Sequence, residues 1–163
     1  MPAPLLLVLI STVSMLAAAP DPCRLLTPAD VRASLGVAPT GMTPDGPIED
    51  PDLDAMSWSC TQQVGVELLT LTVVEFDSAS AAAGGIVTMM QVSKGTLDAL
   101  QLNPAAGLGD RSAWGYSDSG GMWVTIKGRH LLSLSFGQPS ATPAAQRETL
   151  RQLAALALGR LTP

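Results

Sequence analysis

Histidine, cysteine and aromatic side chains are all scarce in this chain: one, two and six of them among 163 residues. His130 is the sole imidazole, so any Ser–His–Asp or Cys–His relay has to use it. Asp110 or Ser112 would be its partner in a hydrolase, but no G-x-S-x-G elbow is present and neither cysteine has a reactive-site context. The default for His130 is an exposed or edge-strand histidine. One histidine and two distant cysteines also fall short of the usual structural zinc sets. There is no P-loop and no G-x-G-x-x-G fingerprint. We therefore expect no catalytic residues, no metal and no cofactor.

Positive charge is scarce too. Nine Lys and Arg residues, scattered singly, stand against 14 acidic ones, for a formal net charge of −5. Nucleic acid needs clustered cations, and so does an anionic membrane surface, so neither is expected as a partner.

What is present begins with an apolar leader, "MPAPLLLVLISTVSMLAAA". Its uncharged core runs from Leu5 to Ala19, within the range of a signal-peptide core and short of the roughly 18 or more residues of a membrane span. Ala17 and Ala19 supply an A-x-A cleavage pattern, although no Lys or Arg precedes the core and Pro20 would open the mature chain. The expectation is a signal peptide over 1–19, with an uncleaved anchor as the alternative. A single exported domain over 20–163 then follows, with no membrane span once the leader is cleaved.

In "LLTPADVRASLG", Thr27 caps a helix, Pro28 takes its first position, Asp30 completes a capping box and Gly36 ends it. Leu26 and Val31 have the spacing of a hydrophobic staple. Residues 37–56, rich in Pro, Gly and Asp, read as a long acidic loop. Its carboxylates, Asp45, Glu49, Asp50, Asp52 and Asp54, lack the EF-hand order, so solvation is preferred to calcium.

Strands are expected at 57–61 and 66–76, the second central and covered on at least one side, with partial cover of both preferred. A helix from about Ser78 presents Ala82, Ile86, Met89 and Met90 as an apolar stripe, with Gly84 and Gly85 in its middle. Three strands form a meander: "SAWGY", "MWVTIK" and "HLLSLSF". In the last of these Leu132, Leu134 and Phe136 point one way and Ser133 and Ser135 the other. Gly128-Arg129 suits a type II′ turn. In "GLGD" the glycines allow a tight turn and Asp110 bonds to nearby backbone N–H groups. Thr142-Pro143 opens a final helix whose Leu150, Leu153, Ala157 and Leu161 face the sheet. The order is α-β-β-α-β-β-β-α, an α+β fold with a largely antiparallel sheet of about five strands and helices packed on it.

Cys23 and Cys60 pair by default in an exported chain. For two residues 37 positions apart, chain entropy gives about 4 kcal/mol of stabilisation.

The run "PCRLLTPADVRASLG", then "WSC", "GLGDRSAW", "GGMWVTIKGRHLLSL" and an alanine-leucine helix, resembles a family of small exported proteins and lipoproteins of high-GC Gram-positive bacteria, a domain of unknown function. The resemblance covers nearly all of the chain after the leader. It implies an extracytoplasmic α+β domain with a disulfide between the cysteines matching Cys23 and Cys60, and it supplies no catalytic residues. The chain departs from many members in lacking a lipobox, because Pro20, Asp21 and Pro22 stand before Cys23.

The resulting expectation is a secreted or cell-envelope protein, a monomer, that binds a protein or small ligand without catalysis. Trp114, Tyr116 and Trp123 are its candidate binding surface, with core packing as the competing role for each. An inhibitor or immunity-type protein acting on an exported enzyme through the acidic loop, and a hydrolase using His130, are the alternatives.

Overall fold

A computed structural model of the chain describes residues 19–95, 100–137 and 142–161. The leader expected over 1–19 therefore lies, except for Ala19, outside the described residues.

Two short helices open the described chain. Helix α1 (Pro22–Leu25) is a single turn capped by Asp21, whose carboxylate accepts from the Cys23 N–H. Helix α2 (Pro28–Leu35) has the expected capping box: Asp30 Oδ2 accepts the Thr27 N–H at 2.8 Å while Thr27 Oγ1 accepts the Asp30 N–H. Gly36 ends it with a φ of +74°, where a side chain would be strained.

Seven strands form one antiparallel sheet in the order β1-β2-β3-β7-β6-β5-β4. They are β1 (Gly41–Asp50), β2 (Ala55–Val64), β3 (Glu67–Phe76), β4 (Asn103–Ala105), β5 (Arg111–Ser117), β6 (Gly120–Lys127) and β7 (His130–Phe136). The expected count of about five misses both edges. The acidic loop expected over 37–56 is largely strand β1, and only residues 51–54 form a turn. An edge strand pairs on one side only, so it tolerates prolines that an inner strand would reject. Pro44 and Pro47 sit in β1, with a register shift between Asp45 and Ile48 that absorbs Gly46 and the cis Pro47. Residues 41–49 are all exposed, so no apolar alternation marks the strand. Its carboxylates and prolines oppose pairing with a further strand.

Helix α4 (Pro143–Arg160) lies across one face of the sheet, with α1 and α2 beside it. Leu150, Leu153, Ala157 and Leu161 are buried there, as their spacing predicts, against Leu69, Leu71 and Val73 of β3 and Leu132, Leu134 and Phe136 of β7. Each such leucine contributes roughly 1.5–3 kcal/mol by leaving water. Helix α3 (Ala79–Gly95) covers part of the opposite face. Its Ala82 and Ile86 are buried and Met89 and Met90 pack at the margin of the same cluster. Gly85 is required there, because a Cβ would stand 2.8 Å from the Phe76 ring. The rest of that face carries hydroxyl rows, Thr61–Thr70–Ser135 and Ser59–Thr72–Ser133, all half-buried. Alternation in β3 and β7 thus records one fully covered face and one partly covered face.

Three ties hold the N-terminal helices to this frame. The Cys23–Cys60 disulfide joins α1 to β2. Gln62 Nε2 donates to the Leu26 carbonyl at 2.7 Å in the core. Arg160, in the last turn of α4, donates to the Leu25 carbonyl and to both oxygens of Asp30.

Candidate functional site

Alternation along β5 sends Trp114 and Tyr116 to the α4 face of the sheet, near its β4 edge. Trp114 is paired with Asn103 on one side and Trp123 on the other. The three large rings form a staircase. Trp114 lies 6.4 Å from Trp123, tilted by 39°, and 6.4 Å from Tyr116, tilted by 34°. These separations suit aromatic pairs that avoid a face-to-face sandwich.

Trp123 is the inner step. It is 0% exposed and belongs to the core under α4, so it is not part of a binding surface. Strand β6 is an inner strand, and helix packing rather than local pattern decides which of its residues are covered. Its indole Nε1 has no hydrogen-bond partner among the described residues. Trp114 and Tyr116 are half-buried and form the floor of an open cavity of about 750 Å³. Gln101, Asn103 and the Ser117–Asp118–Ser119 turn complete its lining.

Two glycines shape the place. A Cβ at Gly121 would meet the Trp114 ring at 2.6 Å, and one at Gly115 would meet the Gln101 carbonyl at 2.6 Å. The first lets the indole lie flat across β6, and the second lets the chain before β4 cross β5.

The lining is polar and carries one charge, that of Asp118; no Lys, Arg or His contributes among the described residues. Asn103 Nδ2 donates to the Gln101 carbonyl, and Ser117 and Ser119 share a hydrogen bond at 2.8 Å. No hydrogen bond among the described residues engages the Gln101 amide or the Asp118 carboxylate. Nothing in the sequence analysis singles out Gln101, Asn103 or Asp118. The signal available was the "SDSGG" turn directly following two alternating aromatics.

The other candidates lie elsewhere. His130 is neither exposed nor on an edge: its side chain is 7% exposed on β7, between β3 and β6. Its Nε2 is 3.7 Å from Glu75 Oε2, and Arg129 pairs with the other oxygen at 2.5 Å. Burial lowers the His130 pKa, with Glu75 opposing. Asp110 accepts the Gly128 N–H at 2.7 Å, the backbone role expected of it. Ser112 is buried, donates to the Leu108 carbonyl and bonds Thr125 Oγ1. None of these contacts joins Ser112 or Asp110 to the imidazole.

A cleft of about 270 Å³ at the β1–β2 turn holds Glu49, Asp54, Glu75 and Asp77 with Trp58 and Arg129. Among the described residues no three His, Cys, Asp or Glu side chains group to hold a metal ion. A groove of about 370 Å³ between α3 and the sheet is lined mainly by Met89, Val92, Leu100, Leu102 and Met122. Its hydroxyls are engaged by the protein: Thr88 donates to the Gly84 carbonyl, and Ser93 donates to the Met90 carbonyl and accepts the Leu102 N–H. No helix among the described residues is long and apolar enough to cross a membrane.

No family model and no curated protein matches the chain. In fold it is similar to the extracellular domain of PknH from Mycobacterium tuberculosis, with a TM-score of 0.56 and 11% identity. The match covers 84% of this chain and 94% of that one. At such identity the likeness is one of architecture.

Proposed function

We propose that this chain is an exported, non-enzymatic binding domain, secreted or held at the cell envelope, and that the cavity over Trp114 and Tyr116 is its ligand site. Several observations support work outside the cytoplasm: the disulfide, the residues of the leader, and the resemblance to small exported proteins of high-GC Gram-positive bacteria. The similar fold belongs to a domain named as extracellular.

The observation that carries the site is the meeting of two half-buried rings with the Gln101 amide and the Asp118 carboxylate, neither of which is engaged by a hydrogen bond among the described residues. Ligand sites combine apolar area with a few polar groups that fix orientation. The cavity at β5 has both. The α3 groove has apolar area, but its described hydroxyls, Thr88 and Ser93, are already bonded within the protein, and the acidic cleft has its arginine already paired. An inhibitor acting through residues 37–56 would present an edge strand rather than a loop.

Equilibrium dialysis of the protein against an envelope extract, followed by mass spectrometry, tests the reading. A compound retained by the wild type and lost with Trp114→Ala is expected. Equal retention by both proteins, or none by either, contradicts it.

A further inference from the structure

We propose that the ligand taken by this cavity is a neutral saccharide of two or three rings, an inference that rests on the binding reading above. Charge makes the first selection. A phosphate or carboxylate ligand needs cations or clustered N–H donors to replace its water. The described lining offers no cationic side chain, its one charge is negative, and the protein carries −5 overall.

Hydrogen-bonding capacity makes the second selection. A sugar ring presents hydroxyls that donate and accept side by side. An amide such as Gln101 donates and accepts, the Asp118 carboxylate accepts only, and Ser117 and Ser119 do either. That set complements vicinal hydroxyls and leaves few groups unpaired.

Ring geometry makes the third. Trp114 and Tyr116 lie side by side, 6.4 Å apart and tilted 34°. They make a shallow platform whose electron-rich faces attract the polarised C–H face of a pyranose. A quaternary ammonium would also be drawn to such faces, but it favours rings that enclose it, and it gives the amide and hydroxyls nothing to bond. The volume, about 750 Å³, lies towards the top of the roughly 300–1,000 Å³ range for small-molecule sites and suits more than one ring.

The test is a two-dimensional NMR titration with neutral trisaccharides of glucose, N-acetylglucosamine, mannose, galactose and xylose. Trigalacturonate and choline are the anionic and cationic comparators. The expected result is a saturable shift of the Trp114 indole resonance with at least one neutral trisaccharide. Affinity should fall at least about tenfold in Trp114→Ala and severalfold in Asp118→Asn, a change on an exposed turn that leaves the core intact. No saturable shift with any neutral trisaccharide at millimolar concentration overturns the proposal. A shift of Trp114 by trigalacturonate or choline alone also overturns it, while leaving the binding site standing. Neutral saccharide binding that survives both substitutions unchanged overturns the site itself.

Discussion

The Trp114 indole lies across Gly121 so closely that a Cβ on the glycine would stand 2.6 Å from its Cη2 and 3.2 Å from Gln146 Cδ. Gln146 is held from beneath, its Nε2 donating to the Phe136 carbonyl at 2.7 Å, so only the indole can give way. Gly121→Ala should therefore push Trp114 outward, cost about 1–3 kcal/mol as overpacking does, and weaken the near-ultraviolet circular dichroism of the ring cluster. An unchanged spectrum and stability would show that the ring is not seated on this glycine.

Removal of the disulfide by Cys23→Ala with Cys60→Ala should lower stability by about 4 kcal/mol, because the unfolded chain regains the freedom of a long loop. The urea midpoint under non-reducing conditions measures it. A midpoint equal to that of the wild type would mean that Gln62 and Arg160 hold α1 without the bridge.

The Asp30–Arg160 pair should give an acid-dependent stability. Hydrogen bonding to Arg160, helped by Thr27, holds the Asp30 carboxyl well below the usual carboxylate range. A folded-state pKa below the unfolded one stabilises the protein at neutral pH, and the contribution fades as pH falls below the ordinary aspartate value of 3.8. Asp30→Asn should be less stable than wild type at pH 7, and the two should converge towards pH 2. A constant difference across that range would remove the ion pair from the explanation.

His130 works in a higher window. Burial lowers its folded pKa, and Arg129 and Lys127 add to the effect while Glu75 opposes it. Between the ordinary value of 6.5 and that lowered value, the unfolded chain binds the proton and the folded one does not. Stability should therefore decline as pH falls through 6.5, before most carboxylates titrate. In His130→Gln the decline in this window should vanish. Its persistence would assign it to other groups.

Elements with local causes were the ones readable from the chain. The Thr-Pro starts of α2 and α4, the glycine that ends α2, the Gly128-Arg129 turn and the alternation in β7 each need only neighbouring residues, and each stands where expected. The cysteine pair followed from compartment and even count. Strand β1 was hidden because an exposed edge strand has no apolar alternation and admits prolines, so it looks like a loop. Strand β4, three residues with Pro104 at its centre, exists only through its pairing with β5. Trp123 shares its aromatic character and its meander with Trp114 and Tyr116, but its burial is decided by α4, a helix that follows it. Asn103 joins the candidate site through its pairing with Trp114, and Gln101 comes with it two residues earlier, a placement that no spacing in the chain announces.

The three tryptophans report on three different places, which makes one measurement decisive for the binding site. Trp114 floors the cavity, Trp58 lines the acidic cleft and Trp123 lies in the core. Their indole N–H resonances can be followed together while the compound retained in dialysis is added. Binding at this cavity should give a saturable shift of Trp114, a smaller one of Trp123 through the tilted ring contact, and none of Trp58. A shift of Trp58 with Trp114 unmoved would place binding in the acidic cleft and contradict the site assigned here.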